Sequence, residues 1–149
     1  MQAVRIILAS VLLLVTAPEP EAPDTVAVRF MTVDVFVDSG NVPLAAYQFD
    51  FAGRGPKVVI VGLEGGQPPA FADPPYYDPQ AMQGNRVIAA AFSTRPVEQL
   101  PAGRVRVTTL HLQVNGEVDP DFDVKVVTAA GPEGKKIQAK IHIVTGDTP

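Results

Sequence analysis

Residues 44–66 contain two successive runs in which large apolar side chains recur at every second position. Side chains of a β-strand point to opposite faces in turn, so this period of two predicts two strands, each with one buried face. Residues 53–56, Gly-Arg-Gly-Pro, predict a tight connection between them, because Gly and Pro suit the dihedral angles of turns. The alternating side chains are Tyr47, Phe49, Phe51, Val59, Val61 and Leu63.

Glycine and proline separate apolar runs along the rest of the chain as well. The 12 Gly and 15 Pro among 149 residues are spread between the runs rather than gathered in one tract. Such spacing is typical of turns in an all-β domain. We expect seven or eight strands in a two-sheet antiparallel β-sandwich of jelly-roll-like type, with no helix beyond an N-terminal signal helix. Outside residues 44–66, the expected strands are residues 25–38, 85–93, 104–114, 122–129 and 136–144.

The first expected strand contains two apolar sets that are out of phase. Apolar residues occupy the even positions of residues 26–30 but the odd positions of residues 33–37. We therefore expect the buried face to switch near Met31 and Thr32, through a β-bulge or a bend. Such a switch would let this strand contribute to both sheets.

Length and composition restrict the class of protein. A chain of 149 residues suffices for one domain that buries roughly two-thirds of its unfolded surface. The absence of Cys excludes disulfides and thiolate metal sites. The formal net charge of −4 argues against non-specific binding of nucleic acid, which depends on dense Lys and Arg.

The N-terminal segment has the pattern of a secretory signal. Arg5 precedes an apolar run, residues 6–15, that is too short to span a bilayer as a helix. We expect residues 1–22 to be a signal peptide. The alternative is an uncleaved N-terminal anchor, which would be the chain's contact with a membrane. The expected location is secreted, periplasmic or at the cell surface. The rest of the chain is expected to divide into a spacer at residues 23–25, a folded domain at residues 26–144 and a tail at residues 145–149.

Residues 67–83 interrupt the strand pattern with a proline-rich segment. Its five prolines exclude it from the interior of a sheet, because Pro cannot donate a backbone hydrogen bond. It also contains Phe71, Tyr76 and Tyr77. We interpret it as an ordered surface loop packed down by these aromatic side chains, and the alternative is a binding loop.

Four segments follow one another in the order and spacing of a known family. They are Tyr-Gln-Phe-Asp-Phe at 47–51, Val-Ile-Val-Gly-Leu-Glu-Gly-Gly at 59–66, and the strand patterns within 84–93 and 103–114. Their arrangement resembles the cohesin domain, whose sandwich fold is shared by the family 2 and family 3 carbohydrate-binding modules. The resemblance covers about residues 26–143 and implies a non-catalytic module that holds a partner dockerin against one flat sheet face. In a departure from the family, Gly-Arg-Gly-Pro at 53–56 replaces Tyr-Asp-Pro.

The resemblance implies a partner-binding face but assigns no contact residue to it. From the strand pattern, polar residues at outward positions beside apolar ones are the candidates for binding a dockerin-like or other protein partner. These candidates are Gln48, Asp50, Arg86, His111 and Gln113.

Carbohydrate binding is the alternative function, with a polysaccharide as the partner. Flat sugar-binding faces depend on planar aromatic rings with one wet edge, and the chain has no Trp. The candidate sugar platform consists of Phe71, Tyr76 and Tyr77. A second alternative is a structural domain without a ligand of its own.

No motif indicates catalysis, a cofactor or a metal site. The two histidines, His111 and His142, occupy outward strand positions without the context of a catalytic triad or a set of metal ligands. Asp119, Asp121 and Asp123 resemble the start of a calcium loop, but the sixth position of that loop is not the required Gly. We interpret these acids as an acidic strand edge.

Overall fold

The computed structural model describes residues 25–55 and 57–147, which form two antiparallel four-stranded sheets packed face to face. The predicted all-β, two-sheet sandwich is thereby confirmed. The predicted signal helix in residues 1–22 lies outside the described residues. The strands are β1 (Val28–Asp38), β2 (Ala46–Arg54), β3 (Lys57–Gly65), β4 (Tyr76–Tyr77), β5 (Arg86–Phe92), β6 (Arg104–Asn115), β7 (Asp121–Ala130) and β8 (Lys140–Asp147). Sheet A has the strand order β3-β6-β1-β8, and sheet B has the order β4-β5-β2-β7.

The last strand differs most from its predicted bounds. It was expected at residues 136–144, but β8 ends at Asp147, so residues 145–147 belong to sheet A rather than to a tail. Ile137 and Ala139 still pack against the core, although they precede the strand. Within the described part of the chain, no helix has the length and apolar character of a membrane span.

The core lies between the inner faces of the two sheets. Phe49 and Phe51 of β2 and Val33 of β1 are fully buried, because the alternation in the sequence places every second side chain inward. Tyr47 is buried beside them, and its ring meets that of Phe71 edge-on, with 5.2 Å between the ring centroids. Full burial of each such apolar side chain contributes about 1.5–3 kcal/mol. The alternating aromatic residues of 47–51, which were predicted to share a buried face, therefore do face the core.

Tyr47 also brings a polar group into the core. Its hydroxyl donates a hydrogen bond to the carbonyl oxygen of Val107 over 3.1 Å. Burial raises the pKa of the Tyr47 hydroxyl, since the interior disfavours the phenolate. A folded-state pKa above the unfolded one means that stability is intact below about pH 10 and falls as the pH rises beyond it.

We expect Tyr47→Phe to lower the free energy of unfolding by about 1 kcal/mol at pH 7, because the Val107 carbonyl loses its partner. Above about pH 10 the difference from the wild type should shrink, since the wild type alone then loses stability through this hydroxyl. Urea unfolding on both sides of that pH measures the effect. Tyr76→Phe, at an exposed ring, is the control, and a difference that stays constant with pH would contradict this assignment.

A β-bulge lies in β6 rather than in β1. The pairing of β1 with β6 skips Val107, which is an extra residue on the β6 side. The buried phase of β6 changes at this bulge, whereas β1 keeps one phase along its length. Val28 and Phe30 consequently stay on the outer face of sheet A, more than half exposed. The predicted switch of the buried face near Met31 and Thr32 is wrong.

Of the four edge strands in the described part of the chain, two contain a bulge and one is very short. Val61 is an extra residue in β3, at one edge of sheet A. Val127 is an extra residue in β7, at one edge of sheet B. The other edge of sheet B, β4, has two residues. The fourth edge strand, β8, pairs with β1 in an unbroken register.

The proline-rich segment, residues 67–83, is an ordered loop that packs on the sandwich. Two 3-10 turns, Pro69–Phe71 and Pro79–Ala81, flank the short strand β4. The side chain of Phe71 is buried in the core. Gly66 holds the start of the loop by donating its backbone N–H to the carbonyl of Phe71 over 2.6 Å. These contacts place β4 alongside β5.

Candidate binding face

The outer face of sheet B is a surface whose two ends differ in character. Its side chains alternate with the core positions of each strand and therefore point to solvent. Gln48 and Ile88 lie in the middle of this face. The apolar end comprises Ala46, Tyr76, Ala90, Phe92, Thr128 and Ala130, and the charged end comprises Asp50, Arg54, Arg86, Asp121, Asp123 and Lys125.

Two exposed aromatic rings stand at the apolar end. Tyr76 and Phe92 are 70% and 64% exposed. Their ring planes differ by 11° and their centroids lie 6.1 Å apart, so the rings are nearly parallel. Beside them lies an open depression of about 240 Å³ lined in part by the small side chains of Ala46 and Ala90. The apolar end therefore offers ring surface and a shallow recess to the solvent.

A carboxylate lies beneath two cations at the charged end. Arg86 donates hydrogen bonds from Nε and Nη2 to Oδ1 and Oδ2 of Asp50, over 2.9 and 2.8 Å. Nζ of Lys125 lies 3.4 Å from Oδ2 of Asp50. The Asp50 side chain is 9% exposed, whereas Arg86 and Lys125 are 60% and 72% exposed. The two cations thus form the surface and cover the carboxylate.

The same contacts keep Asp50 ionised. Hydrogen bonding from Arg86 lowers the pKa of the Asp50 carboxyl, and the charges of Arg86 and Lys125 act in the same direction. Next to this cluster, Arg54 forms an ion pair with Asp123. An open depression of about 380 Å³ is lined by Asp50, Arg86, Asp123 and Lys125.

We expect Asp50→Asn to lower the free energy of unfolding by about 1 kcal/mol at pH 7, because an amide cannot neutralise Arg86 and Lys125. The folded-state pKa of Asp50 is lowered, so its contribution is present above about pH 4 and is lost as the pH falls through that pKa. The gap between wild type and variant should therefore narrow from pH 7 to pH 2 in urea titrations. Asp123→Asn, which breaks a more exposed pair, is the control and should cost less. A gap that does not narrow in acid would contradict this role of Asp50.

The five predicted partner-binding residues do not share one face. Gln48, Asp50 and Arg86 lie on the outer face of sheet B. His111 and Gln113 belong to β6 and lie on the outer face of sheet A. The two faces are on opposite sides of the sandwich, so the five residues cannot contact one partner surface together. Asp50, expected at the surface, is instead covered by its cationic neighbours.

The two candidates on sheet A lie beside polar neighbours. Nε2 of His111 is 2.8 Å from Oε1 of Glu64, although the two atoms do not form a hydrogen bond. Gln113 donates a hydrogen bond from Nε2 to Oδ1 of Asn115 over 3.1 Å. These contacts connect neighbouring positions of the same sheet, as is usual for solvated strand surface.

The predicted sugar platform is not formed by the three residues named for it. Phe71 is buried in the core and has no open ring face. Tyr77 packs against the core, because it alternates with Tyr76 in β4. Tyr76 alone points outward, and its neighbouring ring is Phe92 of β5.

Two important residues of the outer face were not among the sequence candidates. Phe92 follows Arg86 and Ile88 in the outward phase of β5, so the alternation of residues 86–92 contained the signal. Lys125 alternates with the inward residues of β7 in the same way. What the sequence lacked was the pairing of both strands with β2, which brings these side chains together.

The residues considered as metal ligands are dispersed. His111 lies in β6 and His142 in β8, and β1 separates these strands. Asp119 is bound by Arg29 over 2.6 Å, and Asp123 is paired with Arg54. In residues 25–55 and 57–147, no group of three or more His, Cys, Asp or Glu side chains is placed to hold a metal ion.

Comparison of the chain with protein-family models, with curated proteins and with solved structures finds no match. The class that the structure defines is an all-β, two-sheet sandwich with a mixed apolar and charged outer face.

Proposed function

We propose that this chain is a non-catalytic, cohesin-like binding module that holds a protein partner on the outer face of sheet B. The observation that carries this proposal is the exposed Tyr76–Phe92 ring pair on the same face as Arg86. Aromatic residues and Arg are enriched at protein interfaces and contribute most of the binding free energy there. The order of the cohesin-like sequence segments supports the same function, with a dockerin-like or other protein as the partner.

The module is proposed to act outside the cytoplasm. The signal-like pattern of residues 1–22 supports export to the periplasm, the cell surface or the medium. The acidic net charge fits a module that does not bind nucleic acid non-specifically.

Truncation of Phe92 tests where the partner binds. The full chain, immobilised as wild type, Phe92→Ala or Phe30→Ala, is used to capture proteins from the native secretome, and the Kd of a captured protein is then measured. Phe30→Ala is the matched control, since Phe30 is 53% exposed on the outer face of sheet A. We expect the Kd to rise at least about tenfold for Phe92→Ala and to stay unchanged for Phe30→Ala. Equal binding by all three proteins would contradict the proposal.

A polysaccharide is the second candidate partner, because Tyr76 and Phe92 are two exposed aromatic rings on one face. Exposed aromatic rings can stack on the apolar faces of sugar rings. Affinity electrophoresis in gels that contain soluble cellulose derivatives, xylan or mannan tests this alternative. Retardation that Phe92→Ala removes and Phe30→Ala retains would assign the face to sugar rather than to protein.

A further inference from the structure

We infer that Arg86 and Lys125 form a receptor for one carboxylate of the bound protein segment, at a fixed distance from an apolar side chain seated beside Tyr76 and Phe92. This inference rests on the proposed function and names the chemistry of the partner. The partner segment carries an Asp, a Glu or a terminal carboxylate and, further along, an aliphatic or aromatic anchor.

The charges around Asp50 are unbalanced. Two cations share this one carboxylate, since Arg86 and Lys125 both approach it. Among the described residues, neither cation forms an ion pair with any other acid. Next to the cluster, Arg54 is paired with Asp123 and has Asp121 opposite it in β7, so this neighbouring group carries no excess of positive charge. The cluster of Arg86, Lys125 and Asp50 itself has one positive charge more than it has negative charges.

These charges lie at different depths. Asp50 is covered, whereas the Arg86 and Lys125 side chains are mostly exposed. A group that approaches from solvent meets the cations first. Arg86 uses Nε and Nη2 toward Asp50, which leaves the donors of Nη1 for a second acceptor. An incoming carboxylate is the acceptor that matches both the charge and the planar donor group of Arg.

The receptor is preorganised. The two hydrogen bonds that Arg86 donates to Asp50 fix the guanidinium before any partner arrives. Ordering a long side chain on binding costs free energy, and a side chain that is already held avoids that cost. The lowered pKa of Asp50 keeps this support in place at neutral and mildly acidic pH. The carboxylate of Asp50 is thus a positioning group for the receptor.

The apolar recess lies at a fixed distance from the Asp50 cluster. Ala46 and Asp50 are four residues apart on β2, which corresponds to roughly 13 Å along the strand. Ala46 lines the recess beside Tyr76 and Phe92, while Asp50 lies under the cations. A partner fits both places when its carboxylate and its anchor are about four residues apart in an extended segment, or about two and a half turns apart in a helix.

A selection from random peptides tests this inference. Short random peptides displayed on phage are selected on the immobilised full chain and are counter-selected on Phe92→Ala, so that the retained peptides bind the outer face of sheet B. We expect the retained sequences to be enriched in Asp or Glu at a constant spacing from a Leu, Ile, Met or aromatic residue. Enrichment without an acid, or with Lys and Arg instead, would overturn the inference.

Affinity of one selected synthetic peptide then tests the assigned residues. We expect the Kd to rise at least about threefold for Lys125→Gln and about tenfold for Arg86→Gln. The peptide variant with Asn or Gln at its acidic position should bind more weakly to the wild type, lose less affinity against Lys125→Gln, and lose least against Arg86→Gln, where the stronger donor is missing. Lys140→Gln, at an exposed Lys on sheet A, is the control and should leave the Kd unchanged.

The outcomes separate the two proposals. Lys125 is highly exposed, so Lys125→Gln leaves the fold intact and an unchanged Kd would overturn the carboxylate receptor by itself. Peptides that need Phe92 but ignore Lys125 and Arg86 would overturn the receptor and leave the proposed binding face standing. Failure to retain any peptide that depends on Phe92, together with retardation by a polysaccharide, would overturn both the receptor and the protein partner.

Discussion

Gly65→Ala is expected to lower the free energy of unfolding by about 3 kcal/mol or more and to displace the loop that carries Tyr76. A Cβ atom at this position would lie 1.8 Å from the carbonyl oxygen of Ala72. That atom belongs to the backbone of the proline-rich loop and cannot rotate away as a side chain would. The loop passes over β3 at this point because Gly65 has no side chain. Urea unfolding measures the loss of stability.

Gly62→Ala is the matched control in the same strand. A Cβ atom at Gly62 has its nearest neighbours 4.0 Å away in His111, which is ordinary contact. The free energy of unfolding should change by no more than about 1 kcal/mol. Ala restricts the unfolded chain more than Gly does, which by itself raises the free energy of unfolding. Limited digestion with chymotrypsin reports the loop itself, because Gly65→Ala should expose Tyr77 to cleavage. Equal stability and equal digestion of the two variants would contradict the close approach at Gly65.

Phe49→Ala is expected to cost about 3–5 kcal/mol, the range for a buried phenylalanine truncated to alanine. Phe49 is fully buried at the centre of β2 and contacts the ring of Tyr47. The truncation removes apolar contacts from both sheets and leaves a cavity between them. Thermal and urea unfolding should both show the loss.

Phe92→Ala is the same chemical change at an exposed site. It should change the free energy of unfolding by less than about 1 kcal/mol, because the ring is 64% exposed. The comparison also supports the binding experiment, since a stable Phe92→Ala protein shows that any lost binding comes from the face and not from the fold. Comparable losses at Phe49 and Phe92 would contradict the assignment of inner and outer faces.

The fold class could be predicted from the sequence because the alternation of apolar and polar residues that indicates a strand is contained within each short segment. The aromatic alternation in residues 47–51 needs no knowledge of the partner strands to indicate a buried face. The same holds for Leu110, Leu112 and Val114 in β6, which are fully buried.

Strand neighbours are not local, and the candidate site depends on them. His111 and Asp50 both occupy outward positions, and only the sheet order places them on opposite sides of the sandwich. In the same way, Arg86 and Lys125 are far apart in sequence and meet because β5 and β7 both pair with β2. Sequence periodicity predicts that a residue faces outward, but the sheet to which its strand belongs is set by packing over the whole chain.

The misplaced bulge has a similar physical cause. Two apolar phases in residues 26–37 indicate a switch, yet Val28 and Phe30 remain exposed on an uninterrupted strand. The extra residue is Val107 in the neighbouring strand, where an apolar residue at the bulge is itself buried. The apolar character of Val28 and Phe30 alone therefore does not tell whether these side chains lie on the buried or on the exposed face of the strand.

The irregular edges of the sheets have a consequence for behaviour at high concentration. An exposed, regular edge strand offers unpaired backbone groups to another chain and can start aggregation. The bulges at Val61 and Val127 interrupt two edges, and the two-residue length of β4 shortens a third. A protein that leaves Tyr76 and Phe92 exposed to solvent can thus keep an apolar binding face without also offering long strand edges. Among the edge strands of residues 25–55 and 57–147, only β8 offers an unbroken register on which another chain could pair.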